Sequence, residues 1–144
     1  MKRFHVHFSV DDRRQHQILF DLVRRPSFGG QPDFARWMLD DPRINFAISN
    51  QGSASGIDHL GVQVDSDDGL RELRERLTAA EVVALDQSNA ACCYARSDRH
   101  WTTDPQGVAW ETFHTLKSIP VLRRRNTTAI KRLLRCDADH RIHG

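Results

Sequence analysis

The chain has 144 residues, 39% of them hydrophobic and 28% charged, an ordinary globular composition with enough length to bury most of its apolar surface in one domain. No apolar run approaches the roughly 20 residues that span a bilayer, and the first residues read as a strand, not a signal segment, so the expectation is a cytoplasmic protein without a membrane partner. The net charge of +2 divides into +6 on residues 117–144 and −4 on residues 1–116, and a mildly acidic folded part argues against nucleic acid as its partner.

In chain order, Phe4-His5-Val6-His7-Phe8-Ser9-Val10 alternates as a strand does. Successive side chains take opposite faces, so Phe4, Val6, Phe8 and Val10 are expected in a core, with His5, His7 and Ser9 on the other face. Asp12 with Gln15 resembles a capping box, opening a helix whose Ile18, Leu19, Leu22 and Val23 share a face. Pro26 and Gly29-Gly30 end it and begin a loop. Residues 34–39 and 44–49 read as two strands of a hairpin turned at Asp40-Asp41-Pro42-Arg43, and residues 51–57, rich in Gly and Ser, form a linker.

The order then repeats. Asp58-His59-Leu60-Gly61-Val62-Gln63-Val64 restates the first strand, with His5 and His59 each five residues before the valine that ends it. Ser66 or Asp65 caps a helix with Leu70, Leu73 and Leu77 at helical spacing and acidic residues in its first turn. Residues 82–85 suggest a short strand, followed by the turn-rich Asp86-Gln87-Ser88-Asn89. The last strands are 92–96 and 108–114, separated by Asp104-Pro105-Gln106-Gly107, an echo of Asp41-Pro42. The expected fold is α+β: one domain over 1–116, built from modules at about 1–50 and 57–116. Residues 117–144 are expected to be a basic, solvated and partly disordered tail, with a short amphipathic helix around Ala129-Ile130 and Leu133-Leu134.

A lone strand histidine is ordinarily hydrogen-bonded to a neighbour, but two at equivalent positions of a repeat point to a histidine-lined cleft. Aligning the two Asp-Pro turns sets Glu111 against Phe46-Ala47-Ile48, and a carboxylate in such apolar surroundings is costly unless an arginine, solvent or a cation compensates it. His5, His59 and Glu111 together make a two-histidine, one-carboxylate set that leaves coordination positions open, as in non-haem Fe(II) oxygenases. Zinc, manganese or nickel accept similar ligands. His7, on the same face, is expected to orient a ligand or a bound water. The three cysteines do not form the spaced framework of a secreted disulfide protein. Cys92-Cys93 would point to opposite faces of a regular strand and close a disulfide only with strain. If the chain bends after Asn89-Ala90-Ala91, both thiolates could meet one soft ion, and a monomethylated trivalent arsenic has two positions left for sulfur. The alternative is one buried small hydrophobe beside an incidental neighbour.

Several of these stretches together are similar to the carbon–arsenic lyase and cadmium-induced branch of the vicinal oxygen chelate (glyoxalase/bleomycin resistance/dioxygenase) superfamily. They are Phe4-His5-Val6-His7, Trp37-Met38-Leu39 with Asp41-Pro42-Arg43 and Asn45-Phe46-Ala47-Ile48-Ser49, Asp58 to Val64, Cys92-Cys93-Tyr94-Ala95, and Trp101 to His114. The resemblance implies paired βαβββ modules forming a curved mixed sheet around a metal cleft. It further implies Fe(II)- and O2-dependent cleavage of trivalent organoarsenicals to arsenite, with His5, His59 and Glu111 holding the metal and Cys92 and Cys93 binding arsenic, in a monomer or homodimer. A non-catalytic cadmium or arsenite binder and a glyoxalase-like enzyme using another divalent metal are the rival expectations. Ile18-Leu19 and Val23-Arg24 depart from the Phe-Tyr and Phe-Gly usual in the first helix, and His100 stands where tyrosine is common.

Overall fold

The duplication in the strand pattern becomes a duplicated hydrogen-bond ladder. The computed structural model describes residues 1–11, 18, 21–23, 27–31, 33–50, 54–92, 95–118 and 127–142, apart from the side chains of 28–31, 92, 118 and 135–142. Its elements are β1 (Lys2–Ser9), β2 (Phe28–Gln31), β3 (Phe34–Asp40), β4 (Arg43–Ser49), β5 (Gly56–Val64), α1 (Asp67–Ala79), β6 (Leu85–Cys92), β7 (Ala95–Thr103), β8 (Ala109–Ser118) and α2 (Thr127–Ile142). The strands form one eight-stranded sheet in the order β2-β3-β4-β1-β5-β8-β7-β6. In each module the first strand lies parallel to the last, β1 to β4 and β5 to β8, and the modules meet where β1 runs antiparallel to β5. The result is an α+β fold with a curved, unclosed mixed sheet. Among the described residues no helix is long and apolar enough to cross a membrane.

Matching ladders fix the correspondence between the halves. His5 pairs with Asn45 and His7 with Ala47, while His59 pairs with Ala109 and Gly61 with Glu111. Laying His5 on His59 therefore sets Ala47 where the second module has Glu111, and His7 where it has Gly61. The carboxylate has one apolar counterpart, and the symmetry is broken there.

Alternation holds in β1, but the burial of its faces differs from the expectation. His5, His7 and Ser9 are buried, while Phe4 is 42% exposed, its ring meeting Trp110 edge-on. The cause is curvature: residues from both wings, Phe34 and Arg36 of β3 with Ser97 and Arg99 of β7, close around the histidine face. The outer face keeps an apolar core where Val10, Ala35, Trp37 and Ile48 pack with Phe8, Val23, Leu39 and Phe46. Residues 18 and 21–23 are helical as expected, with Ile18 and Leu22 exposed and Val23 on the core; Asp12, Gln15 and Leu19 lie outside the described residues.

Two segments that read as turns are strands. Gly29-Gly30 lies within β2, an edge strand on β3, and Asp86-Gln87-Ser88-Asn89 lies within β6. The ladder of β6 shifts register between Gln87 and Ala90, and Asn89 has φ 50°, so the local turn chemistry survives as a bulge that tolerates the left-handed backbone of an asparagine. Ser66 caps α1 by accepting from the Gly69 N–H at 3.1 Å. In the tail, Ile130 and Leu134, one helical turn apart on α2, are buried against Trp101 and Ala109, with Val83 and Leu85 beside them.

Candidate metal centre

Three ligand-capable side chains reach the inner face from three central strands, His5 from β1, His59 from β5 and Glu111 from β8, and they are 5%, 0% and 1% exposed. His5 Nε2 stands 3.1 Å from His59 Nε2, and Glu111 Oε2 is 3.3 Å from His59 Nε2 and 3.9 Å from His5 Nε2. Atoms bound to one ion at about 2.1 Å with angles near or above 90° are separated by about 3.0 Å or more, so these spacings fit a shared cation.

The far side of each imidazole decides the tautomer. His5 Nδ1–H donates to the Asn45 carbonyl oxygen at 3.0 Å, and His59 Nδ1–H donates to Asp58 Oδ2 at 2.6 Å. Both Nε2 atoms are thereby turned toward each other and toward a Glu111 carboxylate oxygen, the side on which a shared cation would bind. Burial pushes the Asp58 carboxyl up, but its interactions with His59, and after it with His7 and Thr127, outweigh burial and hold the group well below the usual carboxylate range. Thr127 Oγ1, at the start of α2, donates to the same Oδ2 at 2.9 Å. The other Glu111 oxygen, Oε1, accepts from Arg99 Nη1 at 2.9 Å, and Arg99 Nη2 reaches the Ala90 carbonyl on β6 at 3.2 Å. That pairing makes Glu111 tolerable in the interior and turns Oε2 alone toward the histidines.

Rings pack the histidines in place: Phe113 lies edge-on to His5 at 5.1 Å between centroids and Trp101 edge-on to His59 at 5.2 Å. His7 brings a third imidazole, and the donor atoms of His5, His7 and His59 lie within 4.8 Å of one another. Its Nε2 is hydrogen-bonded to Ser49 Oγ at 2.8 Å, so Glu111 completes the nearer triangle. Below these groups, Asn45 Nδ2 donates to Gln63 Oε1 at 2.9 Å. The cleft between His5, Asn45, Ala95, Arg99 and Glu111 encloses about 30 Å³, close to the share of one molecule in liquid water. A larger cavity of about 540 Å³, lined by none of His5, His59 and Glu111, lies between α1 and the β6–β7 edge.

The sequence-predicted ligands thus come together in one buried cluster. Cys93 lies outside the described residues, as do the side chains of Cys92 and Cys136. The backbone around the thiol pair is partly described: β6 ends at Cys92, whose ladder partner is Ala95, the first residue of β7, so the strand expected over 92–96 falls on parts of two antiparallel strands. Asp58, Arg99 and Thr127 escaped the sequence reading. Only the first had a local signal, a carboxylate adjoining a candidate ligand histidine.

No family model matches the chain. It is 33% identical over 123 residues to a trivalent organoarsenical cleaving enzyme of Bacillus sp. (strain MD1), covering 83% of this chain and 76% of that one. It is 29% identical over 118 residues to the cadmium-induced protein CadI of Mycobacterium bovis, covering 81% and 78%. A glyoxalase/bleomycin resistance protein/dioxygenase superfamily member from Vibrio splendidus shares the fold with a TM-score of 0.51 at 16% identity, over 81% of this chain and 100% of the other. The 33% relative and the two-module sheet agree: the chain belongs to the family of trivalent organoarsenical cleaving enzymes and has the fold of a glyoxalase/bleomycin resistance protein/dioxygenase superfamily member.

Proposed function

We propose that the protein cleaves the carbon–arsenic bond of trivalent organoarsenicals, methylarsonous acid and trivalent aromatic arsenicals among them, in an Fe(II)- and O2-dependent reaction that releases arsenite. The observation that carries this reading is the meeting of His5 Nε2, His59 Nε2 and Glu111 Oε2 in a buried cluster whose two Nδ1 positions are already occupied. These three atoms would hold the metal. Iron bound there supplies the redox chemistry that lets O2 react with a closed-shell substrate. A relative named for cleaving trivalent organoarsenicals supports the substrate class.

The balance is simple. One methylarsonous acid and one O2 give one arsenous acid and one formaldehyde; the carbon–arsenic bond breaks, the methyl carbon is oxidised and the arsenic stays trivalent. The chain's own residues prepare for this. Asn45 and Asp58 fix both imidazoles with Nε2 turned toward Glu111 Oε2, and Arg99 occupies the other Glu111 oxygen. Cys92 and Cys93 would hold arsenic as a dithiolate. The backbone of Cys92 pairs with Ala95, which lines the cleft with His5 and Glu111. Bound through two sulfurs, an organoarsenical keeps one substituent, its carbon, to turn toward the metal.

Aerobic incubation of the Fe(II)-loaded protein with methylarsonous acid is expected to yield arsenite and formaldehyde in equal amounts, with matching oxygen uptake. Cys92→Ser and Glu111→Gln should each reduce release to background. Retention of arsenic by Cys92 and Cys93 without release, in protein with confirmed iron, would sink the lyase and leave a sequestering protein.

A further inference from the structure

The start of α2 reaches the metal-binding cluster by two routes. One is polar: Thr127 Oγ1 donates at 2.9 Å to Asp58 Oδ2, the oxygen that also holds His59 Nδ1 at 2.6 Å. The other is apolar: Ile130 and Leu134 bury against Trp101, whose ring meets the His59 ring edge-on at 5.2 Å. Thr127 is 6% exposed, and Trp101 and His59 are at 0%. A basic tail that packed only for stability would need the second contact and not the first.

We propose that α2 is a working part of the metal centre, with Thr127 and Asp58 as positioning residues that set the orientation and basicity of His59. Asp58 fixes the Nδ1–H tautomer, leaving Nε2 to bind the ion. Thr127 places a second donor on the oxygen that holds the imidazole, which restricts the carboxylate further. It is fixed in turn by a helix whose apolar face is anchored on Trp101. The segment 127–134 therefore transmits its docking to the metal ligand, and a protein in which α2 is displaced holds the metal more weakly. The inference rests on the proposed metal reading and adds to it Thr127, 68 positions in sequence from the ligand His59 and 69 from its carboxylate partner.

The test is anaerobic titration of the full-length protein with Co(II), read from its visible ligand-field bands. Wild type should bind one Co(II), and His5→Ala should abolish that. Outer partners of metal-ligating histidines are worth about 10–100-fold in affinity, so Asp58→Asn should fall in that range and Thr127→Val should lose about 10-fold with shifted bands. Thr127→Ser, which keeps the hydroxyl, should bind as wild type does. Thermal unfolding followed by circular dichroism checks that each variant is folded. Unchanged affinity and bands in Thr127→Val would overturn the inference, as would an equal loss in Thr127→Ser, while the metal reading stands in both cases. Failure of wild type to bind Co(II), or binding that survives His5→Ala, would remove the metal reading itself and the inference with it.

Discussion

At Gly61 a single hydrogen atom in place of a methyl group decides how closely two strands approach. A Cβ built there would overlap the backbone carbonyl oxygen of Glu111 and stand 3.0 Å from the carbonyl carbon. The partner is backbone within the central β5–β8 ladder, so it cannot rotate away. The corresponding position in the first module is His7, facing Ala47, and there a full side chain is accommodated. Gly61→Ala should therefore force β8 outward at the residue that carries the carboxylate. Overpacking of this kind costs about 1–3 kcal/mol, and urea unfolding should record a loss toward the upper end, with Co(II) affinity falling too as Glu111 leaves its neighbours. A variant as stable and as tight-binding as wild type would contradict the assignment of Gly61 to close approach. The residues that make the cluster were legible in the sequence because period-2 alternation and the repeat select one face, whereas Thr127 meets Asp58 only through tertiary folding across 69 positions.

The turn between β7 and β8 is the element that aims Glu111. Asp104 Oδ1 accepts from the N–H groups of Gln106 and Val108 at 3.0 and 2.9 Å, and Oδ2 accepts from the Trp110 indole at 3.1 Å, one residue before the carboxylate. The Trp110 indole is the largest influence on the Asp104 carboxyl; burial opposes it and the turn's N–H groups reinforce it, leaving the group below the usual range. A folded-state value below the unfolded one means that the unfolded chain takes up the proton more readily. The stabilisation is thus complete above the unfolded carboxylate value of about 3.9 and is lost as pH falls through the folded value beneath it. The Trp110 indole resonance should hold steady from neutral pH down to about 4 and move below that, and Asp104→Asn should remove the movement. Movement centred well above pH 4 would assign it to another group. Elements like this turn are legible from Asp-Pro and Gly spacing. Those at β2 and β6 are not, because Gly29-Gly30 and the Asp-Gln-Ser-Asn run carry turn propensity that pairing with β3 and β7 overrides.

Across the whole molecule, the ligand cluster sits on the junction of the two modules, with His5 contributed by the first and His59 and Glu111 by the second. Folding brings two imidazole nitrogens and a carboxylate oxygen together in a buried place, where a bound cation would offset the cost of burying them. An ion that binds this cluster and not the unfolded chain adds RT ln(1 + [M]/Kd), about 2.7 kcal/mol at a hundredfold excess over Kd. For a chain of this size that corresponds to roughly 8 °C in melting temperature. Calorimetry of chelator-treated protein should give a lower midpoint than protein in excess Co(II) by about that amount. The response should vanish in His5→Ala and in His59→Ala, each removing a donor from a different module. Because both modules must be folded and joined for the three atoms to meet, the gain should raise a single cooperative transition, not split it. Two resolved transitions, or an equal shift in the histidine variants, would mean that the cation binds elsewhere and that the junction is held by strand pairing alone.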